Sequence, residues 1–304
     1  MVRGYVPLLL IVAGIWGASY LFIKVAVDEI EPTAMMELRL ILAALVLVPF
    51  VVIRLGRERA VADLRATGAG AWILGAVNMA IPFTLIAWGE KHIDSGIAAI
   101  ANASVPIFVV ALAVKYRPSE RARGIRLVGV LVGFVGVGVL TGLHPEGGWW
   151  AVAGTLAVVV ASLSYAVANL YTQNRFPTTS PLVIAASSSV AAAILLLPFA
   201  LFQLPDEMPS WQALGSVAAL GIAGTAIALL FFYRMLTHYG AARASLVTYL
   251  LPPFALFYGV VFLDEVVTLN AALGLVLILA GVALGSGVMR LARRRTPAPA
   301  TPRP

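Results

Sequence analysis

Long apolar runs separated by short polar connections dominate the chain. A helix needs about 20 apolar residues to cross a hydrocarbon core of about 30 Å, so we predict that ten of these runs are membrane spans. The connections carry turn residues and charges, as at Glu31-Pro32 and Phe176-Pro177. The predicted spans are residues 5–27, 33–54, 69–89, 96–116, 124–142, 150–172, 180–203, 211–235, 243–263 and 268–289.

The second half of the chain repeats the motif order of the first. The offset is 146 residues between Pro106 and Pro252 and 145 between Glu120 and Glu265, which indicates a duplicated unit. Because each copy has five spans, an odd number, the second copy must be inverted in the membrane. The repeated positions are Asn102, Pro106, Glu120, Gly129, Gly136 and Val137, matched by Thr248, Pro252, Glu265, Gly274, Gly281 and Val282.

The predicted fold class is therefore an all-α membrane protein whose ten transmembrane helices form two inverted five-helix repeats. The first repeat covers residues 1–142, the second covers residues 150–289, and a basic, Pro-rich cytoplasmic tail covers residues 290–304. Inverted repeats are typical of secondary transporters, which bind substrate near the bilayer midplane between the repeats.

Composition and charge agree with this arrangement. The chain is 61% hydrophobic and 12% charged, which excludes a soluble domain. With the N-terminus inside, 18 of the 21 basic residues lie on the inner side. We therefore expect a multi-pass protein of the inner (plasma) membrane with both termini cytoplasmic. The net charge of +7 reflects topology and contact of the basic tail with membrane lipid, and no nucleic-acid partner is expected.

Three prolines are candidate hinge or kink positions. Pro106 and Pro252 lie about ten residues into spans four and nine, and Pro82 lies in span three. A proline frees a backbone carbonyl, which is tolerated at that depth where protein or a watery cavity satisfies it. The alternative is a kink that serves packing. The pairing of two prolines at equivalent positions favours the cavity.

Polar side chains follow single faces of several predicted helices. Ser162, Tyr165 and Asn169 lie on one face of span six, and Trp16 and Tyr20 share a face of span one. Interhelical hydrogen bonding is the alternative explanation. The candidate residues for substrate binding are Trp16, Ser19, Tyr20, Asn78, Trp88, Asn102, Tyr165, Asn169, Thr248 and Tyr249.

Ionisable and small residues add further hypotheses. Lys24 can snorkel to the outer interface, whereas Arg39 lies about two turns inside span two and needs a partner on another helix. Proton coupling through Glu37 or Glu90 is a further hypothesis. The glycines of spans five and ten predict close helix packing, within the chain or in a homodimer.

No motif of the sequence points to an enzyme or a bound cofactor. The chain has no cysteine, no GxxxxGK[ST], no HExxH and no GxSxG, and its three histidines lie in or beside loops. We therefore expect neither catalysis, nor a cofactor, nor a metal site.

The motifs resemble the EamA-type members of the drug/metabolite transporter superfamily over nearly the whole chain. The resemblance depends on Trp16-Gly17-Ala18-Ser19-Tyr20, Arg39, the Asn102–Pro106 and Thr248–Pro252 pairs, Glu265 and the Gly-x6-Gly-Val phrases. It implies a ten-helix carrier in a bacterial inner membrane, usually an exporter of amino acids or related metabolites. Spans one, three, four, six, eight and nine would surround the cavity.

Carried over to this chain, the resemblance implies that Trp16, Ser19, Tyr20, Asn102, Pro106, Thr248 and Pro252 line or shape the cavity. It also implies that Arg39 and Glu265 are structural. Two departures are that Glu120 follows Arg117-Pro118-Ser119, and that span six has Ser164-Tyr165-Ala166 where relatives often have a tryptophan.

The function that we expect is a secondary carrier that works by alternating access on a small, partly apolar metabolite. Export of amino acids or related compounds is the leading hypothesis, because aromatic side chains and neutral hydrogen-bonding groups dominate the expected lining. A hydrophobic drug or multidrug efflux carrier is the second hypothesis. A non-transporting membrane scaffold subunit is the alternative from another class.

Overall fold

The computed structural model describes residues 4–116, 125–141 and 148–286, and every regular element in these ranges is helical. Each predicted span contains helical residues within these ranges. The helices are α1 Tyr5–Val27, α2 Pro32–Leu55, α3 Arg57–Ala66, α4 Ala69–Gly75, α5 Ile81–Glu90, α6 Ser95–Asn102, α7 Val105–Tyr116, α8 Ile125–Thr141, α9 Gly148–Arg175, α10 Pro181–Ala200, α11 Trp211–Ala219, α12 Ala228–Tyr239, α13 Ala241–Ala244, α14 Val247–Phe262 and α15 Leu269–Ser286.

Two long helices contain a π-helical segment, and a 3₁₀ turn extends a third. The π segments are Ala76–Ala80, between α4 and α5, and Leu220–Ile227, between α11 and α12. The 3₁₀ turn Leu201–Gln203 follows α10. Adding the repeat offset of 146, which applies up to Pro106, to residues 76–80 gives 222–226, which lies inside the second π segment. The two halves therefore widen the helix at equivalent places.

Seven helices in the described ranges are long and apolar enough to cross a membrane: Tyr5–Val27, Pro32–Leu55, Ala69–Glu90, Ser95–Leu112, Gly148–Arg175, Pro181–Gln203 and Trp211–Tyr239. Three shorter apolar helices accompany them, Leu127–Leu140, Val247–Phe262 and Leu269–Leu284. Residues at helix ends agree with these bounds: Pro32 and Pro181 each open a helix, and Gly56 and Gly240 end α2 and α12 with φ of 80° and 82°.

Helices of the two halves pack against each other reciprocally. Helix α1 contacts α11, α12 and α14 of the second half, and the equivalent helix α9 contacts α5, α6 and α7 of the first. The helix pairs α2–α10 and α8–α15 each join equivalent helices. The two halves thus share one core instead of forming separate bundles.

The glycine-rich helices α8 and α15 pack backbone to backbone. A Cβ added at Gly281 would lie 2.6 Å from the backbone nitrogen of Gly133 and 2.7 Å from the carbonyl oxygen of Gly129. A Cβ at Gly136 would lie 2.8 Å from the backbone nitrogen of Ile278. Small residues are required here because they allow this close approach. The glycine ladder therefore holds the two halves of this chain together.

Candidate functional site

A hydrogen-bonded cluster connects the two halves at the break in the fourth predicted span. Asn102 is the last residue of α6, and Nδ2 of Asn102 donates to the hydroxyl of Tyr20 on α1 at 2.8 Å. The hydroxyl of Ser162 on α9 lies 3.2 Å from Oδ1 of Asn102. Because α6 stops at Asn102 and α7 begins at Val105, this amide can reach both neighbouring helices. We call Tyr20, Asn102 and Ser162 the central cluster.

Aromatic side chains and one cation surround the central cluster. Tyr20 is buried, and the half-buried Tyr165 and Tyr249 pack against the same hydrophobic core. The guanidinium of Arg39 lies close enough to interact electrostatically with the hydroxyls of Tyr20 and Tyr165. The cluster therefore combines aromatic surface, neutral hydrogen-bonding groups and a positive charge at its edge.

Each π segment offers a carbonyl to the helix that packs against it. Nε1 of Trp16 donates to the carbonyl of Gly224 at 3.1 Å, and Oγ of Ser164 donates to the carbonyl of Val77 at 2.7 Å. A π turn disturbs the regular helical hydrogen bonds and occurs often at functional sites. Asn78, a predicted site residue, lies half-buried on the first π segment. The indole of Trp16 also contacts the ring of Phe232, with 5.2 Å between centroids.

Arg39 has the partners on other helices that its depth requires. Its Nε donates to Oγ1 of Thr225 at 2.9 Å, and its Cζ lies 3.9 Å from the centre of the Phe83 ring. Arg39 thereby connects α2 to the second π segment and to α5. On the same helix, Glu37 is buried, and its Oε2 has no hydrogen-bond partner among the described residues.

A cavity opens at one end of the bundle, where α1 ends and α6 begins. We call this end the acidic end because Asp28, Glu29, Asp94, Asp264 and Glu265 lie there. The cavity has a volume of about 670 Å³. Its lining is Lys24, Val25, Asp28, Glu29, Asp94, Gln212, Leu263, Asp264, Glu265, Val266 and Thr268.

Two carboxylates at the acidic end cap helices of the opposite half. Oε1 of Glu265 accepts from the backbone nitrogen of Ser95 at 2.7 Å, and Oε2 accepts from the Ser95 hydroxyl at 2.9 Å and from the Gly96 nitrogen at 3.1 Å. Glu29 accepts from the nitrogen and the hydroxyl of Ser210, both at 2.6 Å. These hydrogen bonds lower the pKa of Glu29. Negative charge at a helix N-terminus is favourable.

Lys24 has hydrogen-bond partners at the end of α5. Its Nζ donates to the carbonyl of Glu90 at 2.7 Å and to the carbonyl of Ile93 at 3.0 Å, so it binds the chain at the end of α5. Glu90 is fully buried, and both of its carboxyl oxygens have no hydrogen-bond partner among the described residues. Lys24 lies one turn from Tyr20 on α1.

Three other predicted site residues have contacts or exposure of their own, and no hydrogen bond among the described residues joins them to the central cluster. Trp88 lies in an aromatic group with His92, at 4.7 Å between ring centroids, and Trp150 stacks on His92 at 5.2 Å. Burial and the charges of Lys91 and Lys24 lower the pKa of His92. Asn169 is exposed on α9. Thr248 is half-buried, and its hydroxyl donates to the carbonyl of Ser245 at the start of α14.

The three prolines occupy different local settings. Pro82 is the second residue of α5, directly after a π segment, and Pro106 is the second residue of α7, directly after the break. Pro252 is buried inside α14, which continues to Phe262. Across the described ranges, no group of three or more His, Asp or Glu side chains is arranged to hold a metal ion.

Comparisons with known proteins agree on one family. The EamA-like transporter family matches residues 4–142 and 152–287. An uncharacterized transporter of Archaeoglobus fulgidus is 28% identical over 271 residues, covering 88% of this chain and 93% of the relative. A probable terminal-alkyne amino-acid exporter of Streptantibioticus cattleyicolor is 27% identical, covering 70% of this chain and 71% of the relative. A crystal structure shares the fold, with a TM-score of 0.65 at 22% identity, covering 97% of this chain and 99% of that chain.

Proposed function

The chain belongs to the EamA-like transporter family, and on this premise we propose that it is a secondary carrier that exports small metabolites, with amino acids as the leading class. The observation that carries the proposal is the central cluster, in which Tyr20 and Asn102 of the first half bond to each other and Ser162 of the second half lies within hydrogen-bond distance of Asn102. A site shared by both halves changes when the halves move relative to one another, which alternating access requires.

We propose that the carrier is built from two inverted five-helix repeats, residues 1–142 and 150–289. The reciprocal contacts of α1 and α9 support this, because a two-fold axis that exchanges the halves produces such pairs. The equivalent positions of the two π segments support it as well. Seven long and three shorter apolar helices in the described ranges allow five spans per repeat.

We propose an orientation in the inner (plasma) membrane with both termini in the cytoplasm. The asymmetric distribution of Lys and Arg along the chain supports it, since cytoplasmic loops retain these residues. In this orientation the acidic end faces outward. The cavity of about 670 Å³ then opens toward the side of export.

The surroundings of the central cluster favour a small molecule with an apolar part. Trp16, Tyr20, Tyr165 and Tyr249 supply aromatic surface, and Asn102 supplies a neutral donor and acceptor. The name of the relative from Streptantibioticus cattleyicolor supports amino acids within this class. Hydrophobic drugs are the second candidate class, because the same aromatic surface would contact them.

Reconstitution into liposomes tests the proposal. Liposomes that contain the purified protein are loaded with a panel of unlabelled amino acids. Uptake of the labelled amino acids and of a cationic dye is then measured with and without a pH gradient. We expect amino-acid counterflow, and a loss of rate in Asn102→Ala but not in Asn270→Ala, an exposed control on α15. Dye transport without amino-acid transport would favour the drug carrier. No transport above protein-free liposomes would favour the scaffold subunit.

A further inference from the structure

One cation lies among the described residues that line the cavity at the acidic end. Lys24 shares this lining with five carboxylate residues, Asp28, Glu29, Asp94, Asp264 and Glu265. A cavity of about 670 Å³ is large enough for an amino acid. The question is which of these charges are available to a solute.

The ammonium of Lys24 has one N–H donor that makes no hydrogen bond to a described residue. An ammonium carries three N–H donors, and in Lys24 two of them bond to the carbonyls of Glu90 and Ile93. The ion pairs within 4.0 Å among the described residues are Arg59–Asp63 and Lys91–Glu31, so no carboxylate is paired with Lys24. Its ammonium is therefore held in place by neutral carbonyls, and the described carboxylates lie beyond ion-pair distance from it.

The neighbouring carboxyl of Glu90 also lacks a partner. Glu90 is fully buried, and neither of its carboxyl oxygens accepts a hydrogen bond from a described residue. Lys24, Glu265 and Arg39 are the charged groups whose fields reach it. A buried polar group without a partner is rare and costly.

The carboxylates of the cavity differ in whether they already accept hydrogen bonds from the protein. Glu265 accepts hydrogen bonds at the start of α6, and Glu29 accepts hydrogen bonds at the start of α11. The side chains of Asp28 and Asp264 are exposed and make no hydrogen bond or ion pair among the described residues. Asp28 follows Lys24 by four residues, so their Cβ atoms lie about 6 Å apart on one side of α1.

We propose that Lys24 binds the carboxylate of a zwitterionic amino acid in this cavity, with the ammonium of the solute facing Asp28. An amino acid carries one charge of each sign, and Lys24 and Asp28, one helical turn apart on α1, present both opposite charges in the same lining. The inference rests on the proposed carrier function and deepens it, because it selects solutes with a carboxylate over neutral or cationic drugs. Tyr20, one turn along α1, joins the site to the central cluster.

Paired solutes test the inference in the wild-type protein. Liposomes containing the carrier are assayed with L-leucine and L-phenylalanine, with the two amides, which lack the carboxylate, and with the two N-acetyl derivatives, which lack the ammonium. We expect the amides to inhibit uptake of a labelled amino acid with an inhibition constant about ten- to a hundredfold higher than that of the acids. This factor corresponds to the loss of a hydrogen bond between charged groups. The N-acetyl derivatives should lose less, because Asp28 is exposed to water.

Variants of the lysine give an independent measurement. Lys24→Met should remove the preference for acid over amide, Lys24→Arg should retain most of it, and Lys91→Met, which removes an exposed lysine of the same end, should leave it unchanged. Each variant is first checked for monodispersity in detergent, because Lys24 also binds two carbonyls. If Lys24→Met is unstable, the comparison of acids with amides in the wild-type protein still tests whether the solute carboxylate is recognised.

Two results would overturn the inference while leaving the carrier function in place. One is wild-type transport of amides as fast as that of acids, and the other is a folded Lys24→Met protein that keeps the acid preference. Failure of the carrier function itself would look different: neither acids, nor amides, nor the dye would move faster than in protein-free liposomes.

Discussion

Removal of the Glu265 carboxylate is expected to destabilise the contact between the two halves at the acidic end. Glu265 follows α14 in the second half and accepts three hydrogen bonds at the start of α6 in the first half, at 2.7, 2.9 and 3.1 Å. Two of the donors are backbone N–H groups that have no partner within α6, because they belong to its first turn. Ser95, which supplies two of the three donors, is fully buried, so water cannot easily replace the carboxylate.

The magnitude follows from these groups. Loss of a helix N-cap costs about 0.5–2 kcal/mol, and each buried donor left without a partner costs about 1–3 kcal/mol. Relaxation and residual water reduce the sum, so we expect about 2–4 kcal/mol for Glu265→Ala. Glu265→Gln retains one acceptor oxygen and should lose about half as much.

The assay is the free energy of unfolding in mixed detergent–SDS micelles, followed by tryptophan fluorescence. Glu207→Ala is the matched control, since Glu207 is an exposed acid in the connection before α11. The order of loss should be Glu265→Ala, then Glu265→Gln, with Glu207→Ala close to the wild type. Equal stability of Glu265→Ala and Glu207→Ala would refute the assignment of Glu265 as a cap that connects the halves.

Three further changes have clear expected outcomes. Gly281→Ala should cost about 1–3 kcal/mol in the same assay by overpacking, because its Cβ would lie 2.6 Å from a backbone nitrogen of α8, whereas Gly138→Ala, with nothing within 4 Å, should be neutral. Tyr20→Phe removes the acceptor of a 2.8 Å hydrogen bond in the central cluster and should slow amino-acid counterflow about 2- to 12-fold. Tyr5→Phe loses a 2.9 Å hydrogen bond at the other end of α1 and should leave the rate unchanged. Because hydrogen bonds lower the pKa of Glu29, its carboxylate stabilises the fold above the ordinary carboxyl pKa, and this contribution is lost as the pH falls below it. Glu29→Gln should therefore lower the melting temperature at pH 7, and the difference from the wild type should shrink as the pH falls through the lowered pKa of this carboxyl.

Apolar periodicity predicted the helical segments well because membrane-spanning helices must be long, apolar and closed in their own hydrogen bonds. The same analysis missed α3, Arg57–Ala66, because this helix is polar and short and gives no apolar run. It also missed both π segments. A π turn keeps the apolar pattern of the surrounding helix, so no residue of Ala76–Ala80 marks it in the sequence.

For the candidate site, the sequence could indicate which residues share a helix face but not which helices meet. Tyr20 and Asn102 were both candidates, and their contact depends on the crossing of α1 and α6. Lys24 was interpreted as an anchor from its distance to the helix end. Its binding to the carbonyls of Glu90 and Ile93 depends on where α5 ends, which the amino-acid pattern around Lys24 does not contain.

The two halves differ most clearly in where their broken helices are interrupted. Ser95, the first residue of α6, becomes position 241 under the repeat offset of 146, and Ala241 is the first residue of α13. Yet α6 contains eight residues before its break and α13 contains four, a difference of about one helical turn. In an inverted repeat, alternating access requires each half to adopt the conformation that the other has in the present state. If the proposed inverted repeat works by alternating access, the change to the opposite-facing state should shorten α6 and lengthen α13 by that turn, which would withdraw Asn102 from Tyr20.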